Sequence, residues 1–395
     1  MPGGPFGGLN AIGQVSAPTG IATLDCASIQ AAHDALPAAG GAIQLYPGVY
    51  ALGSGAGLTF TKRTTLAGAG KGNRDASVYG TKLTYTSGTG TAITVSAAGT
   101  ILRDFALINT GGSVPSAGSG ILVTVGDSTQ IRNISVHNFF NCIVTTQGTE
   151  GSIRDCNIMG AVTNGILQSN ATNPDGGDWE ISGNYIFAGP NTLASGSCAY
   201  LWQSGGGPRI ISNKINSAYD LSAHSFQTGL CFTIADGCST SVALVNDNSI
   251  ENVTYGVIIQ TTGVANTGNF GKVTISANEF QCTAYCVAIS PPVYGRITGV
   301  VCTGNIGAGT TGFFLVKNVD KVTISNNVAY SGTLSPAYAG TVTNLFMQDS
   351  AYTTAARLPV TLMIPGSRYY DLTLNKPIWA DSTSANWRDS AGNIA

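Results

Sequence analysis

Charged residues make up only 10 % of this 395-residue chain, so the places where they gather carry weight. Asp175-Gly-Gly-Asp178-Trp179-Glu180 sets three carboxylates and an indole within one short stretch. Further along, Tyr219-Asp220-Leu-Ser-Ala-His224 brings together a phenol, a carboxylate and an imidazole. Two carboxylates flanking a bond are the equipment of glycoside hydrolysis, one as acid and the other as base or nucleophile. Asp178 and Asp220 are the pair expected in those roles, with Asp175 and Glu180 as further candidates. His224 with Tyr219 suits the other way of breaking a sugar chain. There the imidazole draws a proton beside a uronate carboxyl and the phenol assists the leaving oxygen. Trp179 and Trp202 would offer flat faces to sugar rings, with Gln168 on the neighbouring strand. The plainer alternative has the acids solvating a loop and Trp202 filling the core.

A second feature is a stripe of arginines. Arg103, Arg132 and Arg154 fall at the same place in three successive repeats, followed by Asp104, Asn133 and Asp155. Stacked guanidinium groups would grip an acidic polysaccharide, whereas pairing with the adjacent carboxylates would make them structural. No Asp-x-Asp spacing suggests calcium. The nine cysteines contain no Cys-x-x-Cys, and the three histidines, His33, His137 and His224, have no zinc spacing. No metal or cofactor is expected, and the cysteines read as small buried hydrophobes, without a disulfide framework.

What must position these groups is a repeat. A small residue followed by a short apolar run starts at Gly120, Cys142, Gly165, Ala199, Gly229, Gly256, Cys286, Gly312 and Asn344. Between these runs lies V-x-I-S-x-N, clearest at Val273–Asn278 and Val322–Asn327, with related forms ending at Asn184, Asn213, Asn248 and Asn305. A shorter form ends one place sooner, at Asp104, Asn133 and Asp155. Short strands at such wide, irregular spacing suit the coils of a solenoid, not a hairpin sandwich. The recurring Asn suits a sharp turn needing left-handed φ, and its amide can bond from coil to coil. The two acidic segments are inserts on nearby coils, expected to emerge side by side and frame one groove over Gln168, Trp202 and Phe232. The expected architecture is all-β: a single-stranded right-handed parallel β-helix of roughly ten coils. Residues 1–23 form a Gly/Pro/Ala-rich lead-in, 24–348 the solenoid and 349–395 a tail segment. A capping helix over 26–36 would cover one end, with Asp25 as its N-cap and His33 on its surface.

Ile29-Gln-Ala-Ala and Gly40-Gly-Ala-Ile-Gln-Leu-Tyr-Pro-Gly-Val-Tyr50, followed by Thr65-Leu-Ala-Gly-Ala-Gly70, resemble the opening of the pectate-lyase-like β-helix superfamily, common in phage tailspikes. Leu374–Trp379 and Asn386–Gly392 resemble a closing motif of phage tail fibres and tailspikes. The resemblance implies a protein of a virion tail or the extracellular space that binds and cleaves a bacterial surface or extracellular polysaccharide. The alternative is a non-catalytic receptor-binding or structural tail protein on the same scaffold.

Net charge is −2 without a basic tract, so nucleic acid is not an expected partner. No apolar run approaches the roughly 20 residues of a membrane span, and no secretory signal is visible. One pattern points to another partner. If Ile121, Ile143, Ile166, Leu230, Val257, Val287, Phe313 and Leu345 face the core, the alternate column faces water. That column is Leu122, Val144, Leu167, Leu201, Cys231, Ile258, Ala288, Phe314 and Phe346, apolar throughout. A sheet apolar on both sides is normally covered on both. A homotrimer packed through this stripe is therefore expected, the alternative being cover by the chain's own loops.

Overall fold

The structure is a computed structural model that describes residues 12–72, 80–148, 150–169, 177–203, 205–217, 224–234, 239–261, 269–291, 296–331, 337–347, 350–352, 360, 363–365, 367–371, 373–381, 383 and 385–395. From Gly41 to Met347 each strand pairs in parallel with its counterpart on the next coil. The result is a right-handed parallel β-helix with three faces. The first face holds Gly41–Gln44, Thr129–Arg132, Glu150–Arg154, Asp178–Ser182 and Arg209–Ile211. The second holds Gly48–Gly53, Asn157–Met159, Tyr185–Phe187 and Lys214–Asn216. The third holds Leu58–Phe60, Asn141–Thr145, Asn164–Ser169, Cys198–Gln203 and Thr228–Ile234. Later, single strands turn a corner and serve two faces, as Ser249–Thr261 and Glu279–Ile289 do.

The corner between the first and second faces explains the recurring amides. Asp104, Asn133 and Asp155 adopt left-handed φ of 63°, 51° and 57°. In later coils the left-handed residue is Gly183, Ser212, Asp247, Ala277, Gly304 or Asn326. The asparagine that follows it does other work. Asn184, Asn213, Asn248, Asn278, Asn305 and Asn327 are buried, and each carboxamide oxygen accepts from the coil before. Asn213 Oδ1, for example, accepts from Asn184 N at 3.0 Å and Asn184 Nδ2 at 2.9 Å. The turn and the ladder are thus separate residues in the later coils. Buried amides satisfied in this way cost little, whereas a gap would strand its neighbours.

Inside, Ile121, Ile143, Ile166, Tyr200, Leu230 and Val257 stack in register. The expected columns shift at one end. Gly312 pairs with Tyr285, so Phe314 opposes Val287 in the core and Leu315 takes the outward place. Leu345 opposes Val322 on the first face, not the third. The small residue that marked each strand start lies one position early at Gly312, and that displaced the parity.

Both ends are covered. The helix runs Ala22–Asp34 with Ile21 as N-cap and no side-chain cap, so Asp25 lies inside its first turn. Burial works to raise the Asp25 pKa, but hydrogen bonds from Ala51 N, Thr19 N and Oγ1 and Gly20 N leave it lowered. The carboxylate ties the lead-in, the helix and a second-face strand together. His33 is buried, not on the helix surface: its Nε2 accepts from Thr61 N, and Nδ1 lies 3.0 Å from Thr64 Oγ1. At the other end Arg368–Asp371, Lys376–Ala380 and Trp387–Asp389 form an antiparallel sheet. Ile378, Ala380 and Trp387 join the solenoid's own hydrophobic core, so part of the tail closes the open end. Among the described residues no helix is long and apolar enough to cross a membrane.

Candidate functional site

Strand alternation decides which side chains reach the surface of the first face. Ile153, Ile181 and Ile210 point inward, as does Trp179, which is 1 % exposed. Gly151 opposes Trp179 in register, and a Cβ there would meet the indole ring at 2.6 Å. Glycine at 151 makes room for tryptophan at 179.

The intervening residues point out and form a shallow groove of about 350 Å³. Glu150 and Asp178 oppose each other directly on adjacent strands. Ser152 opposes Glu180, which opposes Arg209. Neighbouring strands lie about 4.8 Å apart, so the Glu150 and Asp178 carboxylates share one patch of the groove. Gly207 N–H donates to Asp178 Oδ1. Glu180 is bound on both oxygens, by Arg154 Nη2 at 2.7 Å and Ser182 Oγ at 2.9 Å. The Glu150 carboxylate has no hydrogen bond or ion pair among the described residues.

The arginine stripe is in register, with Arg132 between Arg103 and Arg154. Arg103 pairs with its neighbour Asp104 at 2.9 Å, while Arg154 reaches across to Glu180. Arg132 is exposed, with no ion pair among the described residues.

The expected single groove over Gln168, Trp202 and Phe232 is not what these residues build. All three point into the core from the third face. Gln168 is bound there by the Tyr200 hydroxyl at 2.8 Å. Trp202 packs against Phe232 and Phe270 at 6.0 and 5.8 Å. Neither Trp179 nor Trp202 presents a ring to solvent, because each falls on the inward parity of its strand. Asp175, Tyr219 and Asp220 lie outside the described residues. The described strands on either side of Asp175 lie on the third and first faces, and those on either side of Tyr219 and Asp220 on the second and third. His224 is half-buried at the entry to the third face, apart from the first-face surface that carries Asp178. Glu150 and Arg209 were missed, although the repeat held the signal. Aligning Ile153 with Ile181 sets Glu150 against Asp178, three residues upstream.

A second groove, of about 460 Å³, runs along the outside of the third face. Its floor is Leu201, Cys231, Ile258, Ala288 and Leu315, and its sides include Gln203, Gln227, Thr233 and Gln260. Among the described residues no charged side chain lines it. The outward apolar stripe is partly shielded within one chain: Val144, Cys231 and Ala288 are buried, while Leu122, Leu167, Leu201, Ile258 and Leu315 are half-buried.

No protein-family model matches this sequence, and no curated protein matches it significantly. Solved structures do share the fold. A mutant tailspike protein of E. coli bacteriophage HK620, in complex with a pentasaccharide, is 13 % identical with a TM-score of 0.56. The match covers 86 % of this chain and 65 % of that one. The Agl-KA catalytic domain is 14 % identical with a TM-score of 0.54, over 86 % of this chain and 63 % of that domain. This chain spans less than two thirds of either protein. Together they show that this chain shares the parallel β-helix fold with both proteins.

Proposed function

We propose that this protein binds and cleaves a bacterial surface or extracellular polysaccharide as a tailspike-type glycoside hydrolase acting at the first-face groove. The observation that carries this reading is the in-register pair Glu150 and Asp178. Two carboxylates a strand spacing apart suit the two flanks of a glycosidic bond. Glu150, without a partner among the described residues, is the acid that delivers a proton to the leaving oxygen. Asp178, held by Gly207 N–H, is the base or nucleophile on the other flank. Glu180 and Arg154 neutralise one another and position the sugar beside them. The tailspike of similar fold that holds a pentasaccharide supports an extended glycan as ligand.

The test is incubation with a panel of capsular and extracellular polysaccharides, following chain length by size exclusion and absorbance from unsaturated uronates. Shortened chains without new absorbance are expected. Shortening with new absorbance would replace hydrolysis by β-elimination and direct attention to His224 and Tyr219.

The second reading, a non-catalytic receptor-binding protein, is favoured by one observation: the third-face groove is uncharged and flanked by amides. Binding without any shortening would select it. A virion tail or extracellular location accompanies either reading. We place the homotrimer contact on the stripe at Leu122, Val144 and Leu167, below the groove; a monomer at micromolar concentration in sedimentation would contradict it.

A further inference from the structure

The arginines of the first face divide into two kinds. Arg103 and Arg154 are held, by Asp104 at 2.9 Å and by Glu180 at 2.7 Å. Arg132 and Arg209 are exposed, and neither has a hydrogen bond or ion pair among the described residues. Strand alternation aims both outward, because their neighbours Ile131 and Ile210 are core residues. Arg209 lines the acid groove, and Arg132 stands two residues beyond Gln130, which also lines it. Register fixes their places. The strands Thr129–Arg132, Glu150–Arg154, Asp178–Ser182 and Arg209–Ile211 lie side by side in that order. The Glu150 and Asp178 carboxylates thus occupy the two middle strands, and the unpaired guanidinium groups the two flanking ones. Three strand spacings separate Arg132 from Arg209, roughly 14 Å, a span of several sugar rings for a chain lying along the solenoid axis.

We infer that the first-face groove takes an anionic polysaccharide, with Arg132 and Arg209 as specificity-determining residues that receive its carboxylate or phosphate groups on either side of the acid pair. This rests on the reading of that groove as the glycan site and names the class of glycan. Asp178, and Glu150 whenever it is ionised, repel a negative substituent brought between them. An acidic chain therefore needs cations that set its charges clear of the acids. Arg103 and Arg154 already direct donors to Asp104 and Glu180. Free guanidinium forks match the oxygens of a carboxylate or phosphate two at a time. A neutral glycan would leave both charges unmatched.

The experiment places isotope-labelled arginine in the full chain and follows the side-chain Nε–H signals, assigned through Arg132→Lys and Arg209→Lys. Hexagalacturonate, inorganic phosphate and maltohexaose are the probes. Saturable shifts at Arg132 and Arg209 are expected with hexagalacturonate or with phosphate, the one that acts naming the anion, and none with maltohexaose. Arg103 and Arg154 should move less. Calorimetry with the polysaccharides of the cleavage panel gives a second measurement. A bound member should lose affinity when its carboxyl groups are reduced or its phosphates removed. Arg132→Gln and Arg209→Gln should each weaken binding of the native form by up to about fivefold, the upper range for an exposed ion pair. The two losses should add, because the sites are more than about 10 Å apart. Neither variant should alter binding of the neutralised form. Silence of both arginines toward both anions, equal shifts with maltohexaose, or undiminished affinity of a neutralised polysaccharide would overturn the inference. Binding is read apart from cleavage. Cleavage of a neutral glycan would therefore leave the hydrolase reading standing and remove this one, and tight binding of an acidic chain that stays intact would do the reverse.

Discussion

The first and third faces are made by the same winding, yet they present different chemistry to an incoming chain. The first-face groove gathers Glu150, Asp178, Glu180, Arg154 and Arg209 on three successive coils. The third-face groove has aliphatic side chains for a floor and hydroxyls and amides for sides, with no charged side chain among the described residues. Both surfaces are stacks in which register sets residues one strand spacing apart. A solenoid can therefore write a charged surface and an uncharged one into separate columns of one repeat. The difference teaches that the coil fixes geometry and the outward columns alone decide chemistry.

The largest effect should come from removing one carboxylate of the pair. Glu150→Gln or Asp178→Asn is expected to lower the rate of reducing-end release by about 10²–10⁴-fold, the range for a lost acid or base. Glycan affinity, read by calorimetry, should hold. Equal loss of affinity would erase the division between the faces. Next is Trp179→Ala, which empties the core beneath the acid groove. A loss of about 3–5 kcal/mol in denaturant unfolding is expected, together with loss of cleavage.

Acid tests the scaffold that carries both grooves. Asp25 is lowered against its burial by four hydrogen bonds, and Asp389, chiefly by Lys376, is lowered to about 2. Groups depressed in the folded state contribute stability above their unfolded value, about 3.9, and lose it as pH falls through the folded value. Thermal unfolding followed by circular dichroism should therefore drop between about pH 4 and pH 2. Asp389→Asn should make that drop shallower. If the uncharged face holds glycan, as in the second reading, Gln260→Ala should weaken that binding by about 0.5–1.5 kcal/mol, the worth of one hydrogen bond, without changing kcat. The smallest effect belongs to Arg154→Ala, whose half-exposed pair with Glu180 is worth about 0.2–1 kcal/mol of stability.

Much of the fold was legible because it repeats. The V-x-I-S-x-N element located the ladder asparagines, and the earlier Asp104, Asn133 and Asp155 located the left-handed turn. Parity was harder. Trp179 and Trp202 looked like sugar platforms, but large aromatics occur on both sides of a strand; for Trp179 the clue in the stacked repeat was Gly151 opposite it, which leaves room for the indole inside. Asp178 and Glu180 were found as a local cluster. Glu150, nearly thirty residues upstream, was not, because its proximity exists only once the coils stack. Sequence neighbourhood is a poor guide to a site assembled across coils.

The most direct test follows chain length of a bound polysaccharide through wild type, the Glu150→Gln/Asp178→Asn double variant and Gln260→Ala. The account predicts that wild type and Gln260→Ala shorten the chains while the double variant binds them and leaves them intact. Shortening by the double variant at the wild-type rate would place the chemistry elsewhere and contradict the assignment of the first-face groove.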